Sequence, residues 1–303
     1  TFNQTFNPDI SVSSGYSALY IQTGNVSNNG IELAFGYNNK WGHFGWSSNY
    51  TFSSNRNRIN ELVRNYVHPE TGAVINKDRL DVGGLGNAHF ILKEGGTLGD
   101  LYSLTDVMRD DKGRVYVDKE GKVYRNNNVG DIKLGSVFPK ANMAWRKDFT
   151  YKGFSLGVMV SARFGGIVYS ATQAALDLYG VSEASAKARD NKYVKVNGND
   201  YLNPESWYST IGASDGIPQF YTYSATNVRL QNLSLSYTLP KTLLGQGWPG
   251  VTVGFIANNL WMIYNKAPFD PEIASTTGTY GQGSDYFSAP SLRNIGFSLK
   301  LQF

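Results

Sequence analysis

Hydrophobic and polar positions alternate strictly along the last strand-like stretch, RNIGFSLKLQF from Arg293. Ile295, Phe297, Leu299, Leu301 and Phe303 share one parity, while Gly296, Ser298, Lys300 and Gln302 share the other. A period of two predicts a strand with one apolar and one wet face. The same rhythm returns upstream. Ile31, Leu33, Phe35 and Tyr37 alternate with Glu32, Ala34 and Gly36. Phe44, Trp46, Tyr50 and Phe52 share a parity with Ser48 between them, and Phe154, Leu156, Val158, Val160 and Ala162 form another row, as do Val251, Val253, Phe255 and Ala257. Near Val228 the row begins with Val228 and Leu230, then changes parity to Leu233, Leu235, Tyr237 and Leu239. One inserted residue at Gln231 or Asn232 predicts a bulge there.

These rows predict strands at residues 14–22, 29–38, 42–53, 138–149, 152–163, 226–239, 251–261 and 291–303, with weaker signals at 87–93 and 101–107. The connections are unequal. Residues 36–41 (GYNNKW) and 149–154 (FTYKGF) read as tight turns, 240–249 as a moderate link, and 54–88, 105–137, 164–225 and 263–290 as long loops. The longest carries two predicted short helices, 171–179 and 181–188. A water-soluble antiparallel sandwich also alternates. The apolar rows here often end in Trp, Tyr or Phe, and the loops are of very unequal length. Both features favour an up-and-down antiparallel membrane barrel, with strands of about 9–11 residues and short turns facing its inner side.

Composition changes this picture little. Among 303 residues, 17% are charged and 14% aromatic, with 33 Gly and 20 Tyr. No stretch approaches the roughly 20 apolar residues of a membrane helix. A formal net charge of +4, without a basic block, offers nothing for a nucleic-acid backbone. The lack of Cys removes disulfide and thiolate chemistry. His43, His68 and His89 show no metal-ligand spacing, and no nucleophile, base and orienter come together, so no enzyme is expected. RDDKGRVYVDKEGKVY offers Asp110, Asp111, Asp118 and Glu120 as weak calcium candidates. Their spacing fits turns bounding an RVYV strand better. No other cofactor is expected. Residues 1–10 show neither a basic start nor an apolar core, so they do not read as a signal peptide; their polar run reads as the middle of a loop in a longer chain.

Several segments resemble the carboxyl-terminal barrel portion of SusC/RagA-family TonB-dependent outer-membrane transporters. They are NNGIEL from Asn28, FPKANMAWRKDFTYKGFSLGV from Phe138, YGVSEASAKARDN from Tyr179, ATNVRLQNLSLSYTLPK from Ala225, NNLWMIYNKAPFDPE from Asn258, and the stretch from Gly283 to the aromatic end at Phe303. The resemblance implies an all-β fold, an antiparallel transmembrane β-barrel, with residues 1–303 as the back part of a barrel of about 22 strands. The plug and amino-terminal regions would lie outside this sequence. It implies a multi-pass location in the outer membrane of a Gram-negative bacterium of the Bacteroidota, among outer-membrane lipids, with Phe303 as an assembly signal. The expected function is active import of a glycan or oligopeptide. The implied partners are a SusD-like surface lipoprotein, TonB acting through the missing amino-terminal region, and the remainder of the same transporter. A passive pore, or a structural or adhesive surface protein, is the alternative. Aromatic faces with a few carboxylates suit sugars or peptides. Trp207, Tyr208, Tyr221, Tyr223, Trp261, Tyr264, Asp270 and Glu272 are therefore the expected substrate contacts, against the simpler reading that they pack loops together.

Overall fold

The computed structural model describes residues 4–6, 21–68, 72–198, 200–245, 247, 249–273 and 281–303. Eight strands form its main sheet: β1 (Gln4–Phe6), β2 (Ile21–Trp41), β3 (Phe44–Glu61), β4 (Ala141–Tyr151), β5 (Phe154–Phe164), β6 (Asn227–Thr238), β7 (Gly250–Asn265) and β8 (Asn294–Gln302). They lie side by side in chain order, every pair antiparallel. Most of the strand predicted at 14–22 lies outside the described residues. The strands at 29–38 and 42–53 are found, but β2 runs past both predicted limits and β3 starts two residues late and runs eight residues past its predicted end.

The turns explain part of that difference. The first is not in residues 36–41. β2 continues through Trp41, whose indole lies 6.1 Å from the Phe44 ring and 6.3 Å from that of Trp46. The chain reverses at Gly42, with φ +56°, and His43. The second turn uses Lys152 and Gly153, at φ 45° and 90°, the double left-handed geometry that suits the twist of a hairpin. The bulge falls where the parity change placed it. Met159 pairs with Asn232 and Val160 with Leu230, which leaves Gln231 as the extra residue.

Register gives the sheet two unlike faces. Leu33, Phe52, Met143 and Ala162 stand in one lateral row, and Leu156, Leu235, Phe255 and Phe297 in another, all on the apolar face. Glu32, Ser53, Asn142, Arg163 and Asn227 form a row on the opposite face. The apolar face is uncovered: Phe35 is 68% and Phe297 84% exposed, and Phe303, just past β8, is wholly exposed.

The expectation of an all-β transmembrane barrel is not met. Closure requires hydrogen bonds between the first and last strands. Among the described residues β1 pairs only with β2 and β8 only with β7, leaving two open edges there. Among the described residues five smaller sheets stand apart from the main one, and four α-helices interrupt the strands. The expectations of a barrel domain, of transmembrane β-strands and of a multi-pass outer-membrane location fall with closure. Alternation fixes which side chains share a face, but it carries no information about which edges meet. Among the described residues no helix is long and apolar enough to cross a membrane, a statement that says nothing of strands.

The buried core lies in the long connections rather than under the main sheet. Strands at Arg79–Leu85, Ala88–Lys93, Asp100–Ser103 and Ile132–Ser136 form a four-stranded sheet. Against it pack α1 (Ala171–Leu178) and α3 (Pro204–Gly212), through a cluster that includes Phe90, Leu101, Tyr169, Trp207, Ile211 and Tyr221, while α2 (Glu183–Asn191) lies beside α3. Each helix starts at a polar cap: Ser170, Ser182 and Asn203 accept from backbone N–H groups of the first turn. The two helices predicted at 171–179 and 181–188 are therefore present, the second beginning two residues later because Ser182 caps it. RVYV does not form a strand; only an isolated bridge joins Val115 to Arg109. A second cluster, Val26, Ile59, Leu62, Val63, Leu80 and Leu92, ties the far end of β2 and β3 to these connections.

Candidate ligand-binding cleft

Where the loop layer meets the polar face of the main sheet it leaves an open cleft of about 1510 Å³. One wall is the polar parity of β2, β3 and β4: Asn28, Glu32, Ser53, Asn55, Asn57 and Asn142. The other comprises the turn around Thr97 and Leu98 and the segments at Gly135–Lys140 and Gly165–Ile167.

The second wall is held in place by the first. Ile59 N donates to Gly96 O at 2.9 Å, and Gly95 N donates back to Ile59 O at 2.7 Å. Leu98 N donates to Asn57 Oδ1 at 2.8 Å, and Asn57 Nδ2 donates to Asn28 Oδ1 at 2.9 Å. Buried Asp100 accepts from Thr97 N at 3.0 Å and Thr97 Oγ1 at 2.7 Å, with Lys133 as its counter-charge. Ser54 Oγ donates to Lys140 O at 2.8 Å, and Lys140 N to Phe164 O at 2.8 Å. Gly165 and Gly166 adopt φ 75° and 81°, and a side chain on Gly165 would strike the Lys140 stem at 2.9 Å, so the bare backbone lets Lys140 cross there. At the end of the row, Arg163 Nη2 donates to Val137 O at 2.8 Å, and burial pulls its pKa down.

The lining is rich in amides and hydroxyls, groups that both donate and accept. Phe138 is its one aromatic residue among those described. The Glu32 carboxylate and the Lys140 ammonium make no hydrogen bond or ion pair among the described residues. Arg56 and Arg58 also border the cleft, but on the alternate parity of β3, that of Ser54 and Phe52.

None of the eight expected substrate contacts lines this cleft. Trp207 is 7% exposed and sets its ring edge-on to Phe220 at 5.1 Å. Tyr221 is fully buried. Tyr208 packs against the same cluster, and burial raises the pKa of both phenols. Tyr223 meets the Phe269 ring edge-on at 5.5 Å. Trp261 and Tyr264 are exposed, but they pair with Leu230 and Val228 on the apolar face. Asp270 and Glu272 grip Arg229: Nη2 lies 2.7 Å from Asp270 Oδ1 and 3.1 Å from Glu272 Oε2, and Arg229 is 4% exposed. Burial works against the charged form of Asp270, yet the hydrogen bonds from Arg229 and its neighbours hold its pKa below the usual range.

The acidic turns use their oxygens internally. Asp110 accepts from Lys112 N and Arg114 N, each at 2.9 Å, and Asp118 from Glu120 N, Lys122 N and the Tyr124 hydroxyl. Those bonds lower both carboxyl pKa values, led by the Arg114 backbone for Asp110 and the Tyr124 hydroxyl for Asp118. Among the described residues, no three His, Asp or Glu side chains, Asp111 included, gather as metal ligands. His89 Nδ1 lies 2.9 Å from Asp81 Oδ1, and its Nε2 lies 3.0 Å from Gly86 O.

Sequence reasoning looked for aromatics in loops and so missed the cleft. The available signal was the wet parity of β2, β3 and β4, where Glu32, Ser53 and Asn142 fall opposite one another.

No protein-family model matches the chain. It is similar to two curated proteins of Formosa agariphila. TonB-dependent receptor P3 is 26% identical over 320 aligned positions, covering 96% of this chain and 30% of the receptor. TonB-dependent receptor P39 is 21% identical, covering 98% of this chain and 32% of the receptor. The chain thus spans about a third of the length of these relatives. Its fold matches part of the RagAB peptide importer. Against the open-open state the TM-score is 0.66 at 17% identity, covering 100% of this chain and 31% of the other. Against the closed-closed state the TM-score is 0.67 at 18% identity, covering 100% and 32%. Both curated relatives are named as receptors.

Proposed function

We propose that the chain is a ligand-contacting portion of a nutrient importer that works with a partner protein. The observation that carries this reading is the polar cleft, placed where the loop layer stands over the wet face of a sheet whose fold runs the full length of the match to a peptide importer. Two curated relatives named as TonB-dependent receptors support active uptake. The finer reading is outer-membrane import of a glycan or oligopeptide, energised through TonB by a region beyond this sequence, with a SusD-like lipoprotein presenting the cargo. In it the sheet and loop layer bind and orient the cargo; no covalent step occurs. Trp261 and Tyr264, the exposed members of the aromatic set, would serve a second, outer contact.

Uptake of labelled oligosaccharide and oligopeptide pools, compared between cells with and without the gene, tests this. Loss of uptake of one pool on deletion, and an equal loss when the proton gradient is collapsed, is the expected result. Uptake that survives deletion would overturn the reading. Uptake lost on deletion but indifferent to the gradient would favour a passive pore.

A further inference from the structure

Resting on that reading of the cleft as the cargo site, we propose that the bare edge of β3 at Asn55 and Asn57 captures an extended acidic oligopeptide by strand addition, with Arg56 and Arg58 pairing with its carboxylates. The argument starts from the ladder. Among the described residues β4 pairs with β3 as far as Ser53, opposite Asn142. Further along the same edge, Ile59 N donates to Gly96 O and Gly95 N donates to Ile59 O. Alternate residues of a strand send their N–H and C=O groups to the same neighbour. Asn55 and Asn57 therefore aim theirs at the stretch between these two anchors. Among the described residues neither backbone makes a hydrogen bond there, and Leu98 N reaches the Asn57 side chain instead. The cleft opens at this gap. All of residues 53–58 line it, both parities together, as a strand seen edge-on would. Residues 54–58 cover about 17 Å at about 3.4 Å each, so about four or five extended residues fit. Unpaired N–H and C=O groups along a strand edge are a template for such a segment.

Side-chain charge narrows the peptide. An added strand turns its side chains alternately to the two faces. On one face it meets Arg56 and Arg58, on the other Asn55 and Asn57. Both arginines are exposed, and their side chains make no ion pair or hydrogen bond among the described residues. Arg64, Arg79 and Arg229, by contrast, are answered by Glu94, Asp131 and Asp270. Cross-strand neighbours stand about 5 Å apart, so carboxylates at alternate positions of the peptide reach the guanidinium groups through charge-assisted hydrogen bonds. Lys140 gives the lining a third cation against the one carboxylate of Glu32. Arg163, opposite Asn142 on β5, adds further positive charge beside it. A glycan has no run of N–H and C=O groups to complete a ladder, and the lining offers it Phe138 as the one aromatic platform among the described residues.

Titration calorimetry on the whole protein, with any partner that copurifies, tests this. The probes are Ala-Glu-Ala-Glu-Ala, its lysyl counterpart Ala-Lys-Ala-Lys-Ala, two N-methylated forms of the glutamyl peptide and tetragalacturonate. One methylated form carries its methyl groups on the Glu amides, the other on the Ala amides. The glutamyl peptide should bind at least about tenfold tighter than the lysyl one. One methylated form should lose binding, because its edge-facing N–H groups are gone, while the other stays within about threefold of the parent. Arg56→Gln with Arg58→Gln should bring the glutamyl and lysyl peptides within about threefold of each other. Both side chains are exposed and unpaired, so this variant does not threaten folding. Equal effects of the two methylations would overturn the proposal. So would glutamyl and lysyl peptides binding alike, a charge preference that survives the double variant, tighter binding of tetragalacturonate, or binding of no probe. Ser53→Cys carrying a bulky thiol label separates these failures from failure of the reading beneath. Uptake lost on labelling keeps the cleft as cargo site, whereas uptake intact would remove that reading and this inference with it.

Discussion

At the residue scale, the sharpest contrast is between aromatics that pack and aromatics that are exposed. Trp207 is nearly buried against Phe220, whereas Trp261 is 60% exposed. Trp207→Ala should cost about 3–5 kcal/mol of stability. Trp261→Ala should stay within about 0.5 kcal/mol. Urea denaturation of both variants measures this; equal losses would refute the assignment. The sequence shows that both are aromatic and in the outer half of the chain. It does not show that α3 turns Trp207 inward, because that depends on what the neighbouring loop sheet offers it. Asp131 carries a second prediction. It accepts from Arg79 Nε at 2.7 Å and lies 2.8 Å from Lys93 Nζ. Arg79 first, then Lys93, hold its pKa at about 2 against a usual 3.8. Because the folded value is depressed, this stabilisation is present above the unfolded value and is lost as pH falls through the folded one. Asp131→Asn should therefore destabilise by about 1.5–3 kcal/mol at neutral pH. The gap to the natural protein should close as pH falls from 5 towards 2. A gap independent of pH would contradict the ion-pair account.

At the element scale, period-two alternation made the faces of β2 to β8 legible, and even the bulge at Gln231 could be read from a change of parity. Boundaries were less legible. β2 overran its predicted turn because Trp41 gains stacking partners by staying extended. RVYV, β-prone in composition, stays a single bridge from Val115 to Arg109, because the turns that Asp110 and Asp118 cap close on either side of it. The hairpin between β4 and β5 gives a direct test. Gly153 sits at φ 90°, and a Cβ there would meet Thr238 O at 2.7 Å. Gly153→Ala should lose about 1–3 kcal/mol. Lys152→Gly, which keeps the left-handed turn, should stay close to the natural stability. Equal effects of the two changes, by chemical denaturation, would show that the turn geometry is unimportant.

At the scale of the whole molecule, strand order was legible and closure was not. Consecutive rows with short turns imply neighbours, and the sheet follows chain order. Whether β1 and β8 meet depends on edges, which alternation does not encode. Among the described residues the result is a sheet with two open edges and an uncovered apolar face running from Leu33 to Phe297. Large exposed apolar patches drive association in water. Sedimentation velocity without detergent should find the chain self-associated, and Leu33→Ser, Phe35→Ser and Phe297→Ser together should shift it towards monomer. An unchanged distribution would mean that another surface drives association. The polar face, by contrast, is covered in part by the loop layer, and the space between them is the cleft.

The central claim is that this cleft seats the cargo, and the absence of cysteine from these 303 residues makes it directly testable. Ser53→Cys places the one thiol of these 303 residues on the cleft wall, and Leu33→Cys places it instead on the apolar face. Each is labelled with a bulky thiol reagent, and uptake is measured before and after. Labelling at position 53 should cut uptake at least about tenfold, equivalent to about 1.4 kcal/mol, while labelling at position 33 should leave it unchanged. Undiminished uptake with position 53 fully labelled would contradict the account.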